Sequence, residues 1–165
     1  MIDNGSSFNK VHLLKRKDEA AEYIRLFIAE FERQCNLPVK YLRADGGGEF
    51  FSRRFQGLLA SKGIIHQYSE ADTSASNGKA KRFHRTPMDS ARAMLWASTL
   101  PERFWGDAVL YTSYIRNRLP ARSNPDLQTP LENLTGKPPS VAHILKFGSK
   151  CTLHLANKKG KSLRK

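Results

Sequence analysis

The chain alternates between segments with helical spacing of apolar residues and short apolar runs typical of strands. Apolar residues recur every three or four positions from Ala21 to Phe31, and this spacing predicts an amphipathic helix. The runs at 39–42 and 64–68 predict two strands, and a short helix between them is predicted to end at Gly63. Strands that alternate with helices in this way indicate an α/β fold.

Further elements are predicted before and after this region. The apolar residues of 8–14 predict a strand, and Asp18 is placed to cap the helix that follows. Another helix is predicted from about Lys79. It is expected to be interrupted or restarted at Pro87, because proline removes a backbone hydrogen bond and clashes with the preceding turn.

The last third of the chain is predicted to be helical and then irregular. One helix is predicted to begin near Pro101, and a shorter one to run from a cap at Thr129 to a stop at Gly136. The segment 147–155 predicts a strand. The basic run 158–165 offers almost no packing residues, so it predicts a disordered tail.

Charge narrows the class of partner. The 165 residues include 28 Lys and Arg against 15 Asp and Glu, which gives a formal net charge of +13. Such an excess favours a polyanionic partner, most simply nucleic acid, although a basic protein with no dedicated partner is the plain alternative. Cys35 and Cys151 show no paired spacing, so neither a zinc site nor a disulfide framework is indicated. No apolar run approaches the length of a membrane span, so no membrane partner is expected.

Candidate chemistry lies where the second predicted strand ends. The strand leads to Asp45, and the glycines at 46–48 then allow a tight turn. In many phosphoryl-transfer enzymes such a strand-end Asp holds a metal ion together with a Glu on a helix about 35 residues further on. Here that spacing leads to Lys81, which is a cation where an anion is needed.

Motifs along most of the chain resemble those of copia-type LTR-retrotransposon integrases. The segment 45–50 (D-G-G-G-E-F) resembles the family element D-N-G-G-E-F, with Gly46 in place of Asn. The segment 73–82 (T-S-A-S-N-G-K-A-K-R) resembles T-P-Q-Q-N-G-V-A-E-R, with Lys81 at the position of the Glu. Further matches follow in the family's order, at 92–95, 100–105, 117–120, 129–140 and 147–148.

The resemblance implies a ribonuclease-H-like α/β fold of the retroviral integrase superfamily, here missing its first strand and most of its second and followed by a helical extension. It implies a division into a truncated core at 1–98, a helical extension at 99–146, and a strand with a basic connector at 147–165. In the family, three carboxylates hold two Mg²⁺ or Mn²⁺ ions that cut and join DNA. Asp45 matches the second carboxylate, the first is expected to lie upstream of this chain, and Lys81 replaces the third.

Loss of the third carboxylate predicts a degenerate active site. A protonated Lys has no lone pair for a hard cation, so Asp45 is at best a doubtful metal ligand and Mg²⁺ or Mn²⁺ is not expected to bind. Asp72 is a weak candidate to substitute. The sharper hypothesis is an ion pair between Lys81 and Asp45, which would lower the pKa of Asp45.

Nucleic-acid binding is predicted for the start of the helix that carries Lys81. Lys79, Lys81, Arg82, His84 and Arg85 cluster there, and the resemblance implies that they contact DNA phosphates without sequence specificity. The alternative is an ordinary solvated helix face. The family also implies possible homo-oligomers and a nuclear location when expressed, with a cytoplasmic stage in a retrotransposon cycle.

Three functions are therefore weighed. The preferred one is a remnant integrase core of a retrotransposon polyprotein, which lacks catalysis but retains DNA binding. An active integrase would require an upstream segment with the first Asp and an acid in place of Lys81. A host-adopted, non-enzymatic module for binding DNA or protein is the third.

Overall fold

The computed structural model describes residues 1–44, 47–68 and 78–152, with the backbone alone at residue 49 and at 78–84. Short 3₁₀ turns at Lys17–Glu19, Gly48–Phe51, Glu102–Phe104 and Pro125–Leu127 connect the main elements. In chain order these elements are α1 (Ala20–Cys35), β1 (Tyr41–Ala44), α2 (Arg53–Ser61), β2 (Ile65–Tyr68), α3 (Gly78–Ser98), α4 (Trp105–Arg116) and α5 (Pro130–Thr135).

The two predicted central strands form a parallel pair. β1 and β2 lie side by side with Tyr41 opposite Ile65 and Ala44 opposite Tyr68. Because both strands run in the same direction, α2 forms the crossover between them. The residues that follow the two strands therefore begin at the same edge of the sheet.

Two predicted strands are wrong over the residues described. Within 8–14 the only pairing is an antiparallel bridge between Ile2 and Asn9, and the rest is irregular. Leu13 and Leu14 remain 40% and 42% exposed. Strands need a neighbour for their backbone groups, and no described strand lies beside this segment beyond residue 10.

A strand was also predicted at 147–155, but residues 147–152 form a turn followed by irregular chain. Residues 153–155 and the predicted tail at 158–165 lie outside the described residues. The ring of Phe147 packs against Tyr111 of α4, with centroids 5.7 Å apart. This segment is therefore held on a helix by side chains and does not extend a sheet.

Helix ends follow the predicted capping residues in the second half of the chain more closely than in the first. Thr129 and Glu132 form a complete capping box at the start of α5, and Gly136 ends the helix in the left-handed conformation with φ 71°. The cap predicted at Asp18 is wrong. Asp18 lies inside the preceding 3₁₀ turn, and its carboxylate pairs with Arg16 at 2.9 Å.

Helix α3 runs through Pro87 without interruption, so the predicted break is wrong. Proline inside a helix costs about 3 kcal/mol because one hydrogen bond is lost and the ring clashes with the preceding turn. Pro87 is buried in the fold, and burial of its apolar ring offsets part of that cost. Tertiary packing thus maintains a helix that its local sequence disfavours.

Two apolar clusters form the core. The first consists of Ile24, Ile28, Phe55, Leu59 and Ile64, and it joins α1, α2 and the start of β2. The second consists of the smaller residues Ala91, Ala108 and Val109 where α3 packs on α4. The largest fully buried apolar side chains, Phe55, Ile28 and Leu59, lie in the first cluster.

A buried polar network attaches the start of the chain to α4. The main-chain N–H and side-chain amide of Asn9 both donate to Oδ1 of Asn117, at 3.0 and 2.6 Å. Nδ2 of Asn117 donates to the carbonyl of Asn9 at 2.7 Å, and the Ser113 hydroxyl donates to Oδ1 of Asn9 at 2.6 Å. These contacts connect residues more than 100 positions apart.

The lengths and hydropathy of the helices bear on whether the chain could span a membrane. None of the helices described over 1–44, 47–68 and 78–152 is long and apolar enough to cross a bilayer.

Candidate nucleic-acid interface

The edge of the sheet where β1 and β2 end is the position that the sequence predicts for the metal site. Ala44, the last residue of β1, is buried and lies opposite Tyr68. Asp45 itself and the candidate Asp72 lie outside the described residues. Lys81 lies on α3 by its backbone, but its side chain is also outside the description. The ion pair between Lys81 and Asp45 therefore stays a prediction.

The first turns of α3 carry the predicted phosphate-binding cations. Lys79, Lys81 and Arg82 lie on this helix, although their side chains, like that of His84, are outside the description. The side chain of Arg85 is described and is 87% exposed. The sequence thus places these charges within two turns of one continuous helix, a spacing that suits a phosphate backbone.

Arg85 is only loosely held by its acidic neighbour. Its Nε lies 3.9 Å from Oδ2 of Asp89, and Asp89 is also 3.1 Å from Arg92. Exposed ion pairs of this kind contribute about 0–1 kcal/mol, so they restrain the guanidinium weakly. Arg85 can therefore turn toward an anion at little cost.

Sequence reasoning missed a polar and aromatic group on the core-facing side of the same sheet edge. The side-chain amide of Gln56 on α2 donates to the carbonyl of Phe50 at 2.7 Å and to the hydroxyl of Tyr68 at 3.0 Å. It also lies 3.0 Å from Nδ1 of His66. The amide nitrogen carries two hydrogens, so these three neighbours share two N–H donors. Nothing in the local sequence around Gln56 signals these contacts.

His66 is held neutral in this group. Burial lowers the pKa of His66 below its ordinary value, because the charged form loses water without gaining a partner. Its Nε2 is buried and makes no hydrogen bond to the described residues. At neutral pH the His66 ring is therefore uncharged, and it adds no positive charge to this edge of the sheet.

The described residues contain no group of three or more His, Cys, Asp or Glu side chains arranged to hold a metal ion. Of the predicted site residues, Arg85 alone has a described side chain. At the sheet edge the structure also shows the group formed by Gln56, His66 and Tyr68, which the sequence did not predict.

The sequence is similar to Pol polyproteins of retrotransposons. It is 36% identical over 93% of its length to the retrovirus-related Pol polyprotein from transposon TNT 1-94 of Nicotiana tabacum. It is 29% identical over 91% of its length to the corresponding polyprotein from transposon RE2 of Arabidopsis thaliana. The chain spans only 12% and 10% of these two relatives. No family model matches the sequence.

The fold is that of a retroviral integrase catalytic core, which is ribonuclease-H-like. The catalytic core domain of HTLV-2 integrase, solved in complex with magnesium in a trimeric form, superposes with a TM-score of 0.60 at 21% identity. The match covers 81% of this chain and 80% of that domain. A chain from the structure of the simian T-cell lymphotropic virus intasome in complex with the PP2A regulatory subunit B56 gamma superposes with a TM-score of 0.66 at 18% identity. The match covers 94% of this chain and 52% of that chain.

Proposed function

We propose that this chain is a remnant integrase core that binds DNA without catalysing strand transfer. Two findings support this: the chain is homologous to retrotransposon Pol polyproteins over about nine tenths of its length, and it has the fold of an integrase catalytic core. Its family role is DNA integration. The part of that role retained here is attachment to the phosphate backbone. The observation that carries this proposal is the group of cations on the first turns of α3, including the exposed Arg85.

Two properties support phosphate contacts as the mode of binding. The formal net charge of +13 attracts a polyanion over distances of about a Debye length, and contacts at α3 would then fix the orientation. Arg85 is exposed and loosely paired, so binding a phosphate breaks no strong internal contact. Such binding releases counterions from DNA and is therefore steeply dependent on salt.

The residues present do not fit the divalent ions that the family uses. Mg²⁺ and Mn²⁺ need several oxygen ligands, and the position of the third carboxylate carries the ammonium of Lys81. That charge opposes the entry of a dication and supplies no lone pair. We therefore derive no catalytic step through a metal, and the inactivity of the chain is part of the proposal.

Three finer statements belong to the same proposal. The chain is proposed to act in the nucleus, where chromosomal DNA is found. Copies of it are proposed to associate, as in the trimeric form of the HTLV-2 domain. The divisions at residues 98 and 146 are proposed as domain boundaries.

The test is a salt titration of binding to random-sequence duplex DNA. The variant replaces Lys79, Lys81, Arg82 and Arg85 by Gln, and the control replaces four exposed cations elsewhere, Lys15, Lys17, Lys137 and Lys150, also by Gln. If the α3 group makes four phosphate contacts, its variant loses about 3–4 units from the slope of log affinity against log salt. The control loses the same net charge and keeps most of the slope.

Two outcomes of that titration contradict the proposal. Binding by the unaltered chain that does not change between low and physiological salt would exclude phosphate contacts. Equal losses in the variant and the control would show that overall charge, with no defined surface on α3, accounts for binding.

A further inference from the structure

Three aromatic rings form a column at the edge of the sheet where β1 and β2 end. The ring of Tyr68 lies 4.1 Å from that of His66 and 4.8 Å from that of Phe51. The Phe51 and Tyr68 rings are nearly parallel, with planes 8° apart. His66 in turn contacts the buried Phe55 edge-on at 5.5 Å. The column thus leads from the core outward, and Phe51 is its outer member.

The outer part of this column is accessible. Phe51 is 52% exposed and Tyr68 is 47% exposed, although both are large apolar rings. One face of Phe51 is covered by Tyr68, so the exposed area includes the opposite face. A flat aromatic face open to solvent matches the shape of a nucleobase, and every base has a π-face that can stack on it.

The column is held in place before any ligand arrives. The amide of Gln56 donates to the hydroxyl of Tyr68 and lies within hydrogen-bonding distance of His66, both at 3.0 Å. A third contact of the same amide, to the carbonyl of Phe50, ties the turn that carries Phe51 to α2. Because these groups are already ordered, stacking on Phe51 requires little loss of side-chain entropy.

Charge near the column complements a nucleic-acid backbone. Arg53 is exposed, two positions after Phe51, and forms no ion pair with the described residues. Arg43 and its hydrogen-bond partner Gln67 alternate with the residues of Tyr68's face along the two strands, so they project from the opposite face of the sheet and are not part of this site. Guanidinium groups bind phosphate well, so Arg53 is the candidate contact for the phosphates of a base stacked on Phe51.

We propose that Phe51 is a stacking surface for one unpaired nucleobase of DNA, supported from behind by Tyr68 and flanked by Arg53 as a phosphate contact. The site rests on the proposed DNA-binding function and extends it, because it takes a base from a single strand or a frayed end and not from an intact duplex. It lies beside the sheet edge that precedes Asp45, on the α2 side.

The test uses a single-stranded oligonucleotide that contains 2-aminopurine, whose fluorescence is quenched when the base stacks on an aromatic ring. Phe51→Ala is expected to weaken binding by about 5- to 150-fold and to remove the quenching. Phe51→Leu should lose as much because it keeps an apolar side chain without a ring, and Phe51→Trp should bind at least as well as the unaltered chain. A blunt duplex without unpaired bases should respond little to any of the three.

A matched control is available on the same sheet. Tyr41 is 57% exposed, but it lies at the opposite end of the strands, opposite Ile65, and on the other face. Tyr41→Ala removes a similar exposed ring and is expected to leave single-strand binding and quenching unchanged. Circular dichroism and thermal unfolding show whether each variant is folded before its affinity is measured.

The outcomes separate the two proposals. If the unaltered chain binds DNA in a salt-dependent way, but Phe51→Ala and Phe51→Leu bind the single strand as tightly and quench it as strongly, the stacking site is wrong and the DNA-binding function stands. Equal losses for single strand and blunt duplex likewise contradict stacking of an unpaired base. If the unaltered chain binds neither DNA, both proposals fail.

Discussion

Replacing Phe55 by alanine is expected to destabilise the fold by about 3–5 kcal/mol, the range seen when a buried aromatic side chain is removed from a core. Phe55 is fully buried and packs within the cluster that joins α1, α2 and β2. Its ring also meets Phe50 and His66 edge-on at 5.6 and 5.5 Å. Phe55 therefore joins the core cluster to the base of the aromatic column.

Urea unfolding followed by circular dichroism measures this loss, and Phe55→Leu provides a milder step if the alanine variant does not fold. Phe51→Ala is the matched control, because it removes the same ring from a half-exposed position and should cost under about 1 kcal/mol. If Phe55→Ala and Phe51→Ala have the same unfolding midpoint, the first cluster is not the main source of stability.

Replacing Asn117 by alanine is expected to cost about 2–4 kcal/mol, since buried polar groups of Asn9 lose their partners. Asn117 and Asn9 are 6% and 2% exposed, so water replaces these bonds poorly. The change leaves the main-chain N–H, the side-chain amide and the carbonyl of Asn9 without the bonds that Asn117 now makes. The start of the chain should then detach from α4 before the rest of the fold melts.

Hydrogen exchange at the amide of Asn9, together with urea unfolding, measures this effect. Asn133→Ala is the control, since its side chain makes one exposed contact, 3.5 Å to the carbonyl of Gly5. That variant should unfold within about 0.5 kcal/mol of the unaltered protein. Asn117→Ala with unchanged protection at Asn9 would show that other contacts hold this segment.

Much of the helical structure could be predicted because helices leave local signals. The apolar spacing in 21–31 predicted α1, and Thr129 and Gly136 predicted both ends of α5. The predicted break at Pro87 was wrong because the continuity of α3 there depends on tertiary contacts, which leave no local signal. The local cost of proline is real, but the burial of its ring depends on packing partners that a single stretch of sequence does not reveal.

Strands depend more on partners than helices do, and this explains the two wrong strands. The apolar residues of 8–14 resemble those of a strand, but strand pairing ends at Asn9 because no described neighbour continues alongside. Phe147 reads as a strand residue, yet its ring is used to pack on Tyr111. The apolar pattern predicted that these residues would be used for packing, but it did not predict which residues they contact.

The site was predicted only in part for the same reason. The helix that carries the predicted cations is confirmed, while the roles of Asp45 and of these cations stay predictions. The contacts of Gln56 with His66 and Tyr68 join α2 to β2, and the bonds between Asn9 and Asn117 span 108 positions. Such side-chain contacts become visible only once the fold brings the elements together.

The central proposal is that this chain keeps the integrase-core fold but cannot hold catalytic metal ions. Calorimetric titration of the protein with Mn²⁺ tests it most directly, with Asp45→Asn as the control. We predict no saturable heat in the micromolar range and no difference between the two proteins, because the proposed motif alignment replaces the third carboxylate by Lys81, which cannot ligate a hard cation. Two Mn²⁺ ions bound per chain with a micromolar dissociation constant, and lost in Asp45→Asn, would contradict the claim.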